Sequence, residues 1–236
     1  MPAELYLIPV TLGDSPVRNV IPEIALEILH NLDCFVVEDL RSARRYLRKA
    51  GLKTSFDDIQ FYLLNEHSKE EDLGEMLDVL TSGTSMGILS EAGVPAVADP
   101  GAQLVALAHK KGIRVVPFVG PSSILLALMA SGMNGQSFCF HGYLPVKNPQ
   151  RQNSIRQIER NALERGETQI FMETPYRNMS LLEDILKSCS EDTLLCIAAD
   201  ISLDKEFIKT KAVREWKKEL PDLHKRPAVF LLNRMQ

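Results

Sequence analysis

The chain has 236 residues, of which 45% are apolar and 25% are charged, and its formal net charge is −4. This length and composition are those of an ordinary globular protein with one large domain or two small ones. The mild negative charge excludes a general electrostatic attraction for nucleic acid, so any contact of that kind requires a local basic patch.

The N-terminal residues lack a basic region followed by a long apolar run. No later stretch approaches the roughly 20 apolar residues that a membrane span requires. The four cysteines and five histidines are scattered along the chain, without the spacing of a zinc site. We therefore expect a soluble cytoplasmic protein with no membrane segment and no bound metal.

In the first half of the chain, short apolar segments alternate with segments of helical period. This pattern predicts parallel strands joined by crossover helices. The segment Pro22–Leu32 has apolar residues at spacings of three and four, as in a helix that packs on a sheet. Two further helices are predicted before Gly83 and Gly112, where glycine commonly ends a helix. The predicted strands are Leu5–Val10, Cys34–Val37, Phe61–Leu64, Met86–Ser90 and Arg114–Phe118.

A basic face is predicted for the helix that starts near Arg41. Helical spacing puts four arginines on one side and small or apolar residues on the other. A solvated surface is the common explanation for such a face, and its nearness to the segment VEDLR, residues 37–41, also suits contact with an RNA phosphate backbone. The four arginines are Arg41, Arg44, Arg45 and Arg48.

A second lobe, with another arrangement of strands and helices, is predicted after Gly120. The short spacing between the last elements predicts a mixed sheet, so the fold class is α/β with two lobes: a parallel-sheet N-terminal lobe, residues 1–118, and a mixed-sheet C-terminal lobe, residues 119–236. The predicted strands of this half are Phe138–His141, Gln169–Glu173, Leu194–Ala199 and Ala228–Leu232. The predicted helices are Ser122–Ser131, Gln150–Arg165, Met179–Cys189 and Ala212–Leu220.

Two loops follow predicted strands and are rich in small residues. The first is LSEAGVPAVADPG, residues 89–101, and the second is VPFVGPSS, residues 116–123. In an open parallel sheet, ligands bind beyond the carboxyl ends of the strands, where small residues let the backbone approach closely. Neither loop has the glycine spacing of a dinucleotide or P-loop site. A nucleotide-like ligand without a pyrophosphate stays open, and so does the alternative that the loops are structural turns.

Five segments together resemble the tetrapyrrole methylase family, and within it the branch of ribosomal RNA small subunit methyltransferase I. They occur in the family's order and extend over nearly the whole chain. The segments are VEDLR, LSEAGVPAVADPG, VVPFVGPSSILLALMASG (115–132), FHGYLP (140–145) and FMETPYR (171–177).

The resemblance implies a homodimeric methyltransferase that holds S-adenosylmethionine folded in the cleft between its two lobes. It also implies a role for each matching residue. The cofactor-binding residues carried over in this way are Ser90, Glu91, Ala92, Gly93, Val94, Pro95, Val97, Ala98, Ser122, Ser123, Met172 and Ala228. We expect a bulky residue at Gly93 to enter the cofactor's space and abolish its binding without disturbing the fold.

The acceptor implied by the closest branch is a ribose 2′-hydroxyl of ribosomal RNA in the small ribosomal subunit. Two departures keep other acceptors open. In place of the branch's PxGNL loop, this chain has IPVTLGDSP, in which only Leu12 and Gly13 are similar to residues of that motif. The sequence also ends before the branch's extra C-terminal segment. A tetrapyrrole-like small molecule or a protein is the alternative acceptor. A non-catalytic binding protein on the same fold is the alternative of another class.

A hydroxyl acceptor needs a base to remove its proton during attack, and carboxylates at strand ends suit that role. Glu38 and Glu173 are the candidates, whereas Asp39 is better explained as a helix cap. Arg41 and Arg177 complete the predicted catalytic residues, because each can hold a phosphate or pair with one of these carboxylates.

Overall fold

The structure is a computed structural model that describes residues 2–65 and 67–234. It divides into two compact units, the first ending at Ser122 and the second beginning at Ser123. Among the described residues, no helix is long and apolar enough to cross a membrane.

The first unit is a five-stranded parallel sheet with the strand order β3-β2-β4-β1-β5. It confirms the predicted parallel α/β architecture. The predicted strand Leu5–Val10 ends earlier, at Ile8, because Pro9 has no amide hydrogen to continue the ladder. The strands are β1 (Glu4–Ile8), β2 (Cys34–Val37), β3 (Gln60–Leu63), β4 (Met86–Leu89) and β5 (Arg114–Pro117). The helices are α1 (Glu23–His30), α2 (Leu40–Lys49), α3 (Glu70–Thr81) and α4 (Ala102–Lys110).

The order of these strands places the helices on opposite faces of the sheet. From β1 the chain crosses over β4 to β2 and continues to β3, whereas from β4 it crosses in the other direction over β1 to β5. Right-handed crossovers in opposite directions lie on opposite faces. Accordingly, Leu26 of α1 and Leu47 of α2 share one buried core, and Met76 of α3 and Leu104 of α4 share another.

The second unit is a mixed five-stranded sheet in the order β6-β7-β10-β8-β9, as predicted. Only β6 and β7 are parallel. The strands are β6 (Phe138–Tyr143), β7 (Thr168–Met172), β8 (Leu194–Ala199), β9 (Phe207–Ala212) and β10 (Ala228–Asn233). The helices are α5 (Ser123–Ser131), α6 (Gln150–Arg165), α7 (Asn178–Ser188) and α8 (Val213–Trp216).

The end of the chain corrects one prediction. The helix predicted over Ala212–Leu220 is the short α8, and the strand β9 before it was not predicted. Lys209 and Lys211 alternate with less polar residues in β9, which pairs only with β8 at the edge of its sheet. Charged residues of this kind are common on edge strands, and they conceal the apolar alternation of a strand in the sequence.

Candidate functional site

The candidate site lies where β1 and β4 end side by side. These neighbouring strands lead to helices on opposite faces of the sheet, and in open α/β sheets the carboxyl end between such strands is where a ligand crevice is expected. The two loops are tied together at one point, where the amide of Val10 donates to the carbonyl of Gly93 at 2.8 Å. The position of this crevice follows from strand order, which the sequence does not show directly.

The loop after β4, residues 89–101, has an unusual backbone. Gly93 and Gly101 have φ values of +82° and +123°, and Ala96 and Ala98 are also left-handed, at +64° and +62°. Alanine rarely adopts this conformation, and such strain is found mainly at functional sites. The loop therefore has a specific shape, as the sequence predicted.

Three loops approach closely at two glycines. A Cβ atom on Gly93 would lie 3.2 Å from both Leu12 Cδ2 and the carbonyl oxygen of Pro121, and a Cβ on Gly120 would lie 2.2 Å from Pro9 Cβ. The space at Gly93 is thus occupied by the protein itself. The expectation that a bulky residue there would act on the cofactor alone is wrong, because it would strain the loop and displace Leu12.

Three carboxylates gather between β2 and this loop. Burial raises the pKa of Glu38 to about 7; the charges of Asp99 and Glu91 add to the effect, and a hydrogen bond from the Glu91 amide opposes it. Burial also raises the pKa of Asp99. Glu38 Oε1 is buried and has no hydrogen-bond partner within residues 2–65 and 67–234. A carboxylate in such surroundings can accept a proton near neutral pH.

Asp39 caps α2, as predicted. Its Oδ1 accepts hydrogen bonds from the amides of Arg41 and Ser42 at 3.0 and 2.9 Å. Ser42 in turn donates its hydroxyl hydrogen to Glu91, which links the first turn of α2 to the loop after β4. The cap fixes where α2 starts, and hence which of its residues lie beside the crevice.

The four arginines of α2 are exposed, as predicted, but they are not equivalent. Arg44 lies 5.5 Å from the ring centres of Phe56 and Phe61, and Arg48 lies 4.0 Å from that of Phe56. Arg48 also donates to the carbonyls of Leu52 and Thr54. These two arginines serve the packing of their own unit.

A cavity of about 400 Å³ opens next to α2. Its walls are the loop Val10–Asp14, residues of α2 between Ser42 and Lys49, and Leu89–Glu91. Tyr46 is held in one wall by a hydrogen bond from its hydroxyl to the carbonyl of Pro9, at 3.0 Å. Neither the cavity nor Tyr46 was predicted from the sequence. The helical spacing of Ser42, Arg45, Tyr46 and Lys49 was the available signal.

In the second unit, the predicted residues gather at one end of the sheet. Met172 pairs with Val229, the neighbour of Ala228, so these two predicted cofactor contacts are adjacent. Glu173 follows β7 and is buried, and Arg177 Nη2 donates to its Oε1 at 2.7 Å. Burial would raise the pKa of Glu173, but Arg177 and the Thr174 amide outweigh it and hold that pKa below its usual value. Glu173 is therefore ionised and paired.

The remaining predicted cofactor contacts differ in exposure. Among the residues of the loop after β4, Ser90 and Pro95 are buried, Val94 is half-buried, and Ala92, Val97 and Ala98 are exposed. Ser122 and Ser123 are half-buried at the start of α5. In the described parts of the chain, no three His, Cys, Asp or Glu side chains are placed to hold a metal ion.

Comparison with known proteins adds a family and several relatives. The model of the tetrapyrrole (corrin/porphyrin) methylases matches residues 4–216. Ribosomal RNA small subunit methyltransferase I of Haemophilus influenzae is 31% identical to this chain and is matched over 92% of this chain and 76% of its own length. The protein of the same name from Escherichia coli O157:H7 is 30% identical, with 97% and 77% covered.

Among solved structures, a similar one is uroporphyrin-III C-methyl transferase from Thermus thermophilus complexed with S-adenyl homocysteine. It has a TM-score of 0.60 and 17% sequence identity, and the match covers 98% of this chain and 97% of that one. At this identity, the likeness shows a shared two-sheet α/β fold.

Proposed function

The chain belongs to the tetrapyrrole methylase family and is a methyltransferase that uses S-adenosylmethionine, and we propose that it methylates a ribose 2′-hydroxyl in small-subunit ribosomal RNA. The main support for this choice of acceptor is the similarity, over nearly the whole chain, to relatives named for ribosomal RNA. The carboxylate cluster and the cavity beside α2 support it, because they supply a base and space for an acceptor.

The loop after β4 has the properties that the donor requires. When bound, S-adenosylmethionine supplies a methyl group on a positively charged sulfur. The loop holds Glu91 and Asp99 but no Lys or Arg, and Ala92, Val97 and Ala98 present small exposed side chains. We propose that these residues bind the donor. The contacts predicted for Ser122, Ser123, Met172 and Ala228 stay part of this proposal.

Of the two predicted bases, Glu38 is the better. Transfer to a hydroxyl is fastest when a nearby group accepts the proton at the working pH. The raised pKa of Glu38 and its unpartnered Oε1 suit that task, whereas the Arg177 ion pair makes Glu173 a weaker base. We propose that Glu38 removes the hydroxyl proton, that Glu173 and Arg177 position one another, and that Arg41 contacts the acceptor's phosphate.

The proposal includes a homodimer that works in the cytoplasm. In the second unit, Met129 is 78% exposed and Tyr143 is 59% exposed, which leaves apolar surface for a subunit contact. The molar mass measured by light scattering during gel filtration tests this part: a single peak at the mass of one 26.4 kDa chain contradicts it.

The acceptor is tested by methyl transfer with the purified protein. Unmodified small-subunit ribosomal RNA and intact small subunits are incubated with S-adenosylmethionine carrying a labelled methyl group. The RNA is then digested and its nucleosides are analysed by mass spectrometry. We expect one 2′-O-methylated nucleoside, whose position is mapped by partial digestion.

Other outcomes contradict the proposal and identify the alternative. Transfer to a base instead of a ribose rejects the 2′-hydroxyl. Transfer to uroporphyrinogen III or to protein, with none to RNA, indicates the other acceptor classes. Tight binding of the donor, measured by calorimetry, with no transfer to any of them indicates a binding protein.

A further inference from the structure

We propose that the cavity beside α2 receives a single unpaired nucleotide of the RNA acceptor, and that Arg45 at its edge binds the phosphate of that nucleotide. This inference rests on the proposed function and adds to it a recognition site. Helical spacing predicts the four arginines of α2 as one face, whereas in the structure Arg45 differs from the others.

Arg45 is the arginine of α2 that lines the cavity. Arg44 and Arg48 lie over aromatic rings, and Arg41 is not among the residues that line the cavity. Arg45 is exposed, lines the cavity, and makes no ion pair, hydrogen bond or ring contact within the described residues. A free guanidinium at the edge of a cavity suits a phosphate, which it can bind with two parallel hydrogen bonds.

A second cation lies further along the same helix. Lys49 also lines the cavity and pairs with Asp14, a carboxylate whose side chain is fully exposed. An exposed pair of this kind contributes little stability and exchanges readily with a competing anion. Arg45 and Lys49 are four residues apart, about 6 Å along the helix axis, so the two cations lie one above the other beside the cavity.

The rest of the cavity suits a sugar and base. Val10, Leu12 and Leu89 provide apolar surface, and the ring of Tyr46 is fixed by its bond to Pro9. Aromatic rings commonly stack on unpaired bases in RNA complexes. The volume of about 400 Å³ is at the low end of the range for small-ligand pockets, which suits one nucleoside better than a tetrapyrrole macrocycle.

One wall of the cavity lies next to the proposed base. Its wall includes Ser42 and Glu91, and the Glu91 amide hydrogen-bonds to Glu38. Ser42 lies about 4.5 Å from Arg45 along the helix axis. A nucleotide with its phosphate at Arg45 therefore has its ribose at the end of the cavity next to the carboxylates. A cavity of this size can take up one nucleoside only when its base has left the stack, so this geometry requires an unpaired nucleotide.

The test compares Arg45→Gln with Arg44→Gln, which removes the same charge from the same helix outside the cavity. The RNA is an oligoribonucleotide that contains the methylated position. For Arg45→Gln we expect KM for this RNA to rise about tenfold or more, with the Kd for S-adenosylmethionine unchanged. We expect the slope of log Kd against log salt to fall by about 0.7, the loss of one phosphate contact on a single strand. Arg44→Gln should leave both RNA measurements near the wild-type values.

A charge reversal and a paired substrate complete the experiment. Arg45→Glu should raise KM further than Arg45→Gln, and annealing the oligoribonucleotide to its complement should suppress transfer by the wild-type protein. Thermal melting of each variant shows whether it is folded. Arg45 variants that are folded and keep the wild-type KM and salt slope contradict this inference alone. A wild-type protein that transfers no methyl group to RNA contradicts the proposed function, and this inference with it.

Discussion

At the residue scale, the surroundings of Glu38 and Glu173 give these two carboxylates different chemistry. Both follow a buried strand. Glu38 is surrounded by other carboxylates and keeps one oxygen without a partner, whereas Glu173 is matched by the Arg177 guanidinium. When the surroundings of two carboxylates move their pKa values apart, one group commonly transfers the proton and the other has a positioning role.

We predict that Glu38→Gln lowers kcat by about 100-fold or more without changing the Kd for S-adenosylmethionine, because a base typically contributes 10²–10⁴-fold. The wild-type rate should rise with pH through a midpoint of about 7, as Glu38 loses its proton, and the variant should lack this rise. Initial rates of methyl transfer between pH 5.5 and 8.5 measure both effects. Equal turnover in the variant would remove Glu38 as the base.

Gly120 provides a second prediction at this scale. A Cβ on Gly120 would overlap Pro9, so Gly120→Ala should force apart the loops after β1 and β5 and destabilise the protein by about 1–3 kcal/mol. Gly74→Ala is the matched control, because a Cβ there meets nothing within 4 Å in the middle of α3. That change should stabilise the protein by about 0.5–1 kcal/mol. The free energy of unfolding in urea measures both changes. Equal values for Gly120→Ala and Gly74→Ala would show that the close approach of Gly120 to Pro9 does not contribute to stability.

At the scale of elements, α2 connects the fold to the site. Its buried side, with Ala43 and Leu47, packs on the sheet, while Ser42, Arg45 and Lys49 line the cavity. Its first residue is set by the Asp39 cap, so the cap determines where every side chain of α2 lies relative to the crevice.

We predict that Asp39→Ala frays the first turn of α2 and lowers the melting temperature by about 2–4 °C, the shift expected for a lost cap in a chain of this size. It should also raise KM for the RNA, because Ser42 and Arg45 lose their fixed positions. Asp39→Asn, which can still accept the two amide hydrogen bonds, is the control and should resemble the wild type. If Asp39→Ala melts at the wild-type temperature, the cap does not hold α2.

At the scale of the whole molecule, each unit is stabilised by its own interior. The first has a core on each face of its sheet. The second contains Trp216, which is 1% exposed, and a buried ion pair between Arg151 and Asp184. Burial would raise the pKa of Asp184, but Gln152, Asn148 and Arg151 outweigh it and lower that pKa.

We predict that Asp184→Ala destabilises the second unit by about 3–5 kcal/mol, because it leaves the Arg151 charge buried without a partner. The lowered pKa of Asp184 means that its stabilising effect is present at neutral pH and is lost as the pH falls through that pKa. The double variant Arg151→Met, Asp184→Leu should recover much of the loss. Unfolding free energies measured at pH 7 and at stepwise lower pH below 3.8 measure this. An unchanged value for Asp184→Ala at pH 7 would show that the pair is not needed.

The sequence by itself determined the fold class, the family and the approximate positions of the strands other than β9. Buried parallel strands such as Cys34–Val37 are continuous apolar runs, and the motifs of the two small-residue loops are local in the chain. The edge strand β9 was missed because its alternation is masked by lysines.

Only the tertiary structure decided which of the predicted residues act together. The separation of Arg45 from Arg44 and Arg48 depends on Phe56 and Phe61. The raised pKa of Glu38 depends on its burial and then on the charge of Asp99, far away in sequence. The filled space at Gly93 depends on Leu12 and Pro121. Burial, charge pairing and close approach are properties of contacts between distant residues, and such contacts exist only after the strands have taken their order in the sheet.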